Sequence, residues 1–247
     1  MTTIKRGKWR HASTWRDQVR TFVREVSPHK MDHVPVYPFL DSELPEAFQC
    51  EVGTEAYTNG VLDLALREHI DPWKGRGFGV VVAAEARSCP ERLMSSVSHE
   101  LAHFADLTVI AGRNGFLDLL ANDPVRMSPA VRGCASKGIE AIHASVSRDR
   151  TETVPWAHHG LIFIWLCCHL EYRVWEWADI VQPHLGFAGP FYGLSPTDIY
   201  LRAAGTAPRD MMNSSLLEIA ATPPPDAITE LFARDCEVWH AAHPERH

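Results

Sequence analysis

The stretch Ser98-His99-Glu100-Leu101-Ala102-His103-Phe104-Ala105-Asp106 decides the fold that we predict for this chain. It contains the pattern His-Glu-x-x-His inside a segment with helical periodicity. Two histidines four residues apart lie one turn apart on the same face of a helix, so both imidazoles can bind one metal ion, usually zinc. Glu100 lies about 100° around the helix from His99. The pattern therefore predicts a zinc site in which Glu100 takes a proton from water rather than binding the metal.

The residues around this motif predict a helix that packs on a core. Pro90 and Glu91 suit its first turn, and the run 112–115 predicts its end near residue 110. Just upstream, the β-prone run 78–85 predicts a strand. Apolar residues recur at helical spacing on the side away from the histidines: Leu93, Met94, Val97, Leu101, Phe104 and Leu107. The alternative is a buried helix whose two histidines contact polar neighbours and no metal.

The composition is that of an ordinary globular protein, with 45% hydrophobic and 22% charged residues among 247. A net charge of −7 argues against a broad nucleic-acid surface. No membrane partner is expected, because the longest apolar run, 161–168, is far shorter than a membrane span. No signal-peptide core follows the N-terminus, and none of the six cysteines forms a C-x-x-C pair. We therefore expect a cytoplasmic protein.

We predict an α+β fold that is predominantly helical, in one domain covering 1–247, with a small sheet beside the His-Glu-x-x-His helix. Its core spans about 61–182, with an N-terminal wrap over 1–60 and a C-terminal helical extension over 183–247. The proline-rich part of the wrap, 27–50, predicts an extended segment rather than regular structure. Further helices are predicted over 14–26, over 155–180 as a buried helix containing Cys167 and Cys168, from about 195, and over 227–239.

A catalytic zinc usually has three protein ligands, so a third must come from outside the first helix. The leading candidate lies at the start of the second apolar helix, where His158 and His159 precede Gly160. Gly160 would allow the two backbones to approach closely. The sequence cannot choose between the two histidines, and downstream glutamates remain alternatives: Glu140, Glu152, Glu171 and Glu176. His169 is interpreted as a core histidine.

His-Glu-x-x-His followed by a later His-Gly-x-x-Phe resembles the SprT-like metallopeptidase group. The resemblance covers the two motifs at 99–103 and 159–163 and implies a zincin-like core. It implies that His99, His103 and His159 bind zinc and that Glu100 is the general base. The stretch between the two motifs is longer than in the group, so 112–150 would be an insertion. The zinc ribbon of some members is absent from the sequence.

Asp106 continues the stripe of metal-facing residues, about 20° around the helix from His99. With it the motif becomes His-Glu-x-x-His-x-x-Asp, which resembles lethal-factor-like zinc peptidases. Asp106 is interpreted either as a carboxylate that orients a metal-bound histidine or as a helix-end residue facing solvent.

The sequence therefore predicts a zinc-dependent metallohydrolase, most simply a peptidase acting on a peptide or protein substrate. The strand over 78–85 would form the edge of the cleft and pair with an extended substrate. The alternative is a non-catalytic, metal-stabilised binding domain with a zincin-like fold, its site closed by His158 or Asp106. Possible donors to an oxyanion, none of them preferred, are Tyr172, Arg173, Tyr192 and Tyr200.

Overall fold

The fold is predominantly helical with a small sheet, which confirms the predicted α+β class. The computed structural model describes residues 7–27, 36–44, 56–57, 78–113, 159–178, 180 and 195–242. Within these residues, the helices are α1 (Trp15–Val26), α2 (Pro90–Arg113), α3 (Leu161–Ala178), α4 (Thr197–Ala204), α5 (Ala207–Asp210), α6 (Leu216–Ala221) and α7 (Asp226–Ala242), and the strands are β1 (Val36–Leu40), β2 (Ala56–Tyr57) and β3 (Phe78–Val82). None of the described helices is long and apolar enough to cross a membrane.

The predicted strand is β3, and it lies in the middle of the sheet rather than at its edge. It pairs in parallel with β1, from Val36 opposite Phe78 to Leu40 opposite Val82, and antiparallel with the short β2. Val82 therefore pairs with a strand on each side. The expectation that 78–85 forms the edge of a cleft and pairs with an extended substrate is wrong at this end of the strand, because both of its edges are already paired. All five residues of β3 are buried, as a central strand requires.

Strand β1 corrects a second prediction, because residues 36–40 form regular structure where only an extended wrap was expected. Pro38 within it misled the sequence interpretation, since proline cannot donate a hydrogen bond to a neighbouring strand. Here β1 pairs with β3 alone among the described strands, so a missing donor is tolerated. A high proline content is therefore compatible with an outer strand of this sheet.

Helices α2 and α3 pack against each other at the centre and against α1 and α6 at the sides. The predicted apolar stripe of α2 faces this core, with Leu93, Met94, Val97 and Leu101 fully buried. Helix α3 is buried on nearly all sides, as its composition predicts, and Cys167 and Cys168 are free thiols inside it. Of its predicted span, 155–158 lies outside the described residues.

A hydrogen bond joins the N-terminal segment to the end of α3, and side-chain caps mark the starts of α1 and α6. The Trp9 indole donates to the carbonyl of Ala178 at the end of α3, over 2.9 Å. Helix α1 begins where predicted, with Thr14 accepting a hydrogen bond from the backbone of Asp17. Helix α6 was not predicted, although its capping box, Ser215 with Glu218, is visible in the sequence.

Candidate metal centre

Three imidazoles from two segments meet where α2 passes the start of α3. His99 and His103 come from α2, and His159 comes from the turn before α3. The Nε2 atom of His99 lies 3.2 Å from Nε2 of His103 and 3.3 Å from Nε2 of His159. One ligand nitrogen from each of the three lies within 4.8 Å of the other two, and all three side chains are half-buried. The structure thus brings together the three residues predicted as ligands into a group that could hold a metal ion.

The spacing of these nitrogens fits zinc coordination. Two nitrogens bound to zinc at about 2.0–2.1 Å in a tetrahedron lie about 3.3–3.4 Å apart. The two measured separations, 3.2 and 3.3 Å, are close to that edge. Hydrogen bonding alone does not account for both contacts, because Nε2 of His99 carries either one proton or one lone pair. A shared cation satisfies all three imidazoles at once.

Phe163 forms an aromatic wall for the cluster. Its ring stacks on His103 with centroids 4.3 Å apart and meets the edges or faces of His99 at 5.0 Å and His159 at 4.7 Å. The side chain is fully buried, one helical turn after His159. Gly160, between them, is buried as well. Phe163 therefore limits the directions that the three rings can take and keeps their nitrogens converging.

Two carboxylates of α2 lie inside the protein near this cluster. Glu100 is 6% exposed and Asp106 is 3% exposed, so Asp106 does not face solvent as one interpretation proposed. Burial raises the pKa of the Cys167 thiol well above its usual value, and the negative charges of Asp106 and Glu100 raise it further. Both carboxylates therefore lie within electrostatic range of the face of α3 that carries Phe163 and Cys167.

The other candidate ligands do not join the three histidines. Among the residues that the structure describes, Asp106, Glu171 and Glu176 lie outside the metal-binding group. Asp106 is therefore not a fourth ligand in this arrangement, as the alternative of a closed structural site required. Three candidate ligands lie outside the described residues and remain predictions: Glu140, Glu152 and His158.

His169 is buried, as predicted for a core histidine, but its environment is unusual. Neither ring nitrogen has a hydrogen-bond partner within the described part of the chain, and the ring meets Trp165 edge-on at 4.1 Å. Burial, with the nearby charge of Arg173, lowers the pKa of His169 to about 3. The imidazole is therefore neutral at pH 7 and packs as an apolar ring.

Three of the possible oxyanion donors have other partners, and the fourth, Tyr192, lies outside the described residues. The Tyr172 hydroxyl accepts a hydrogen bond from Nε of Arg209 over 3.2 Å. Arg173 donates to three backbone carbonyls, those of Val26, Met211 and Ser214, and so joins α1 to the turn before α6. Tyr200 donates to Asp235 over 2.7 Å. These roles were not predicted, because they depend on contacts between residues distant in sequence.

Comparison with protein-family models, curated proteins and solved structures finds no match to this chain. The resemblance to the SprT-like group therefore still depends on the two motifs alone, and the geometry of the histidine cluster is the main support for a function.

Proposed function

We propose that this protein is a zinc-dependent metallohydrolase of the zincin type, a peptidase acting on peptides or proteins. One observation supports the proposal above all others. The Nε2 atom of His99 lies at zinc-like separations from Nε2 of both His103 and His159, and the three residues form a group that could hold a metal, next in sequence to the carboxylate that the motif assigns as general base. Three neutral imidazoles leave one tetrahedral position for water, which is the arrangement typical of catalytic rather than structural zinc.

The three histidines would hold the metal, and Glu100 would move the proton. Zinc, when bound, supplies a Lewis acid that lowers the pKa of water to about 7 and polarises a substrate carbonyl. Glu100 accepts one proton as the water oxygen bonds to the carbonyl carbon. It returns that proton to the leaving nitrogen as the carbon–nitrogen bond breaks. Glu100 is 6% exposed, so few bulk water molecules can reach the carboxylate that would move this proton.

The decisive experiment separates metal binding from hydrolysis with Glu100→Gln. We expect wild type and variant each to contain about one zinc per chain, because Glu100 is not a ligand. Hydrolysis of fluorescently labelled casein should fall by about 10²- to 10⁴-fold in the variant, because the amide cannot accept the proton.

Glu85→Gln is the matched control, since Glu85 is an exposed glutamate just before α2. Its zinc content and activity should equal those of wild type. A wild-type protein without zinc, or a Glu100→Gln variant with full activity, would refute the proposal. Zinc binding without hydrolysis in wild type would favour the metal-stabilised binding domain instead.

A further inference from the structure

Asp106 is a buried acid in the interior of α2, seven residues before the helix ends at Arg113. It lies three residues after His103 and seven after His99, on the same stripe of the helix. A carboxylate removed from water to 3% exposure is costly unless it has a specific hydrogen-bonding role. Neither a capping role nor a solvated role fits this position, so its side chain must act inside the protein.

The direction of helical side chains places this carboxylate over His103. In an α-helix each side chain leans towards the N-terminus and covers the turn before its own Cα. His103 follows this rule, since its Nε2 reaches back to within 3.2 Å of His99. By the same rule the carboxylate of Asp106 leans towards His103. Because Nε2 of His103 faces the cluster, the nitrogen left for an outer partner is Nδ1.

The opposite helix supports the same placement. Phe163 stacks on the ring of His103, and Cys167 follows it by one helical turn on the same face of α3. Burial raises the pKa of the Cys167 thiol and the charge of Asp106 raises it further, so Asp106 lies within electrostatic range of this face. Its carboxylate is buried, away from bulk water.

We propose that Asp106 is a positioning residue that accepts a hydrogen bond from Nδ1 of His103. The bond fixes the tautomer in which Nε2 is free to bind metal, and it holds the ring in the orientation that the cluster requires. It also makes the imidazole a stronger ligand. This inference rests on the proposed metal site, and it adds a residue that determines how tightly that site holds zinc.

The test compares Asp106→Asn with Asp235→Asn, a matched change at a second buried aspartate. Asp235 is 4% exposed and accepts hydrogen bonds from Ser195 and Tyr200, away from the histidines. Zinc dissociation constants are measured by competition with a chromophoric chelator. We expect Asp106→Asn to weaken zinc binding by about 10- to 100-fold and Asp235→Asn to change it less than about twofold. Equal affinity of wild type and Asp106→Asn would overturn the inference while leaving the metal site intact. Absence of zinc binding in wild type would overturn both.

A second measurement uses only the wild-type protein, so it does not depend on whether a variant folds. In zinc-loaded wild type, nitrogen-15 NMR identifies the protonated ring nitrogen of each ligand histidine. We expect the ring proton of His103 to sit on Nδ1 and to exchange more slowly with water than a solvent-exposed imidazole proton, because the buried carboxylate of Asp106 holds it. A proton at Nε2 of His103, or exchange as fast as for an exposed imidazole, would contradict the role of Asp106.

Discussion

Two polar clusters in this molecule, one around a buried aspartate and one of three half-buried histidines, differ in how their polar atoms are arranged. At Asp235, one carboxylate oxygen accepts from the Ser195 backbone at 2.6 Å and from the Tyr200 hydroxyl at 2.7 Å, and the other accepts from the Ser195 hydroxyl at 2.8 Å. At the three histidines, by contrast, the contacts join identical atoms, because Nε2 of His99 lies next to Nε2 of His103 and Nε2 of His159. The first cluster has its donors and acceptors matched within the protein, whereas the second is a group that could hold a cation.

The difference separates a structural role from a functional one. A polar network whose donors and acceptors match contributes to stability and needs no ligand. A group of acceptors that converge at ligand distances adds stability only when a ligand binds to it. Substitution should therefore affect the two clusters differently. At Asp235 it should lower the free energy of unfolding, and at the histidines it should lower the affinity for metal.

The largest effect on folding is expected at the complete cluster. Asp235→Ala removes the acceptor of one buried and two part-buried donors, and it should lower the free energy of unfolding by about 3–5 kcal/mol. Denaturant unfolding of the zinc-free protein measures this. The zinc dissociation constant should stay within about twofold of wild type, because Asp235 lies away from the histidines. A stability loss under about 1 kcal/mol would show that the two clusters do not differ in the way we infer.

A smaller effect on folding is expected at the histidines, and it should depend on metal. At a free zinc concentration about 100 times the dissociation constant, zinc should stabilise the wild-type protein by about 2.7 kcal/mol. His159→Ala should lose this gain and most bound zinc, while the zinc-free variant unfolds close to the zinc-free wild type. Thermal unfolding with and without a chelator measures both quantities.

His11→Ala is the control for this comparison, because His11 is exposed and lies outside the cluster. It should keep the full zinc-dependent shift. The same shift in His159→Ala would mean that zinc binds elsewhere, and it would remove the third ligand from the site.

The sequence identified the three histidines that the structure brings together, and it missed parts of the fold around them. His99 and His103 are local: helix geometry alone places them together. His159 was found through a second motif, but only packing between α2 and α3 distinguishes it from a glutamate such as Glu171. The partners of Asp235 and Arg173 lie tens of residues away in the sequence, and the residue spacings of helices and strands do not predict such contacts. The strand over 36–40 was not predicted because Pro38 argues against a strand, although an outer strand tolerates it.

Two polar side chains of α3, the buried His169 and the half-buried Glu171, extend the comparison to pH. Burial and Arg173 lower the pKa of His169 from an ordinary 6.5 to about 3. Burial and the negative charge of Asp198 raise the pKa of Glu171 from 4.5 to about 7, and its Oε2 atom has no hydrogen-bond partner among the described residues. Neither group belongs to the metal-binding cluster, so each should affect stability through protonation alone.

The two groups act in opposite directions between about pH 4.5 and 6.5. The unfolded chain protonates His169 in this range and the native protein does not, so its contribution to stability rises with pH. The native protein keeps Glu171 protonated where the unfolded chain ionises, so that contribution falls as pH rises. In the wild-type protein the two slopes should largely cancel.

Single substitutions should reveal each slope, and these are the smallest effects on folding that we expect. Relative to wild type, the unfolding free energy of Glu171→Gln should rise with pH by up to about 1.4 kcal/mol per unit, and that of His169→Leu should fall by a similar amount. Denaturant unfolding of zinc-free protein at several pH values measures the differences, and titration of the three cluster histidines is common to all samples. Parallel pH profiles for wild type and both variants would show that His169 and Glu171 titrate normally. Their protonation would then contribute nothing to the dependence of stability on pH.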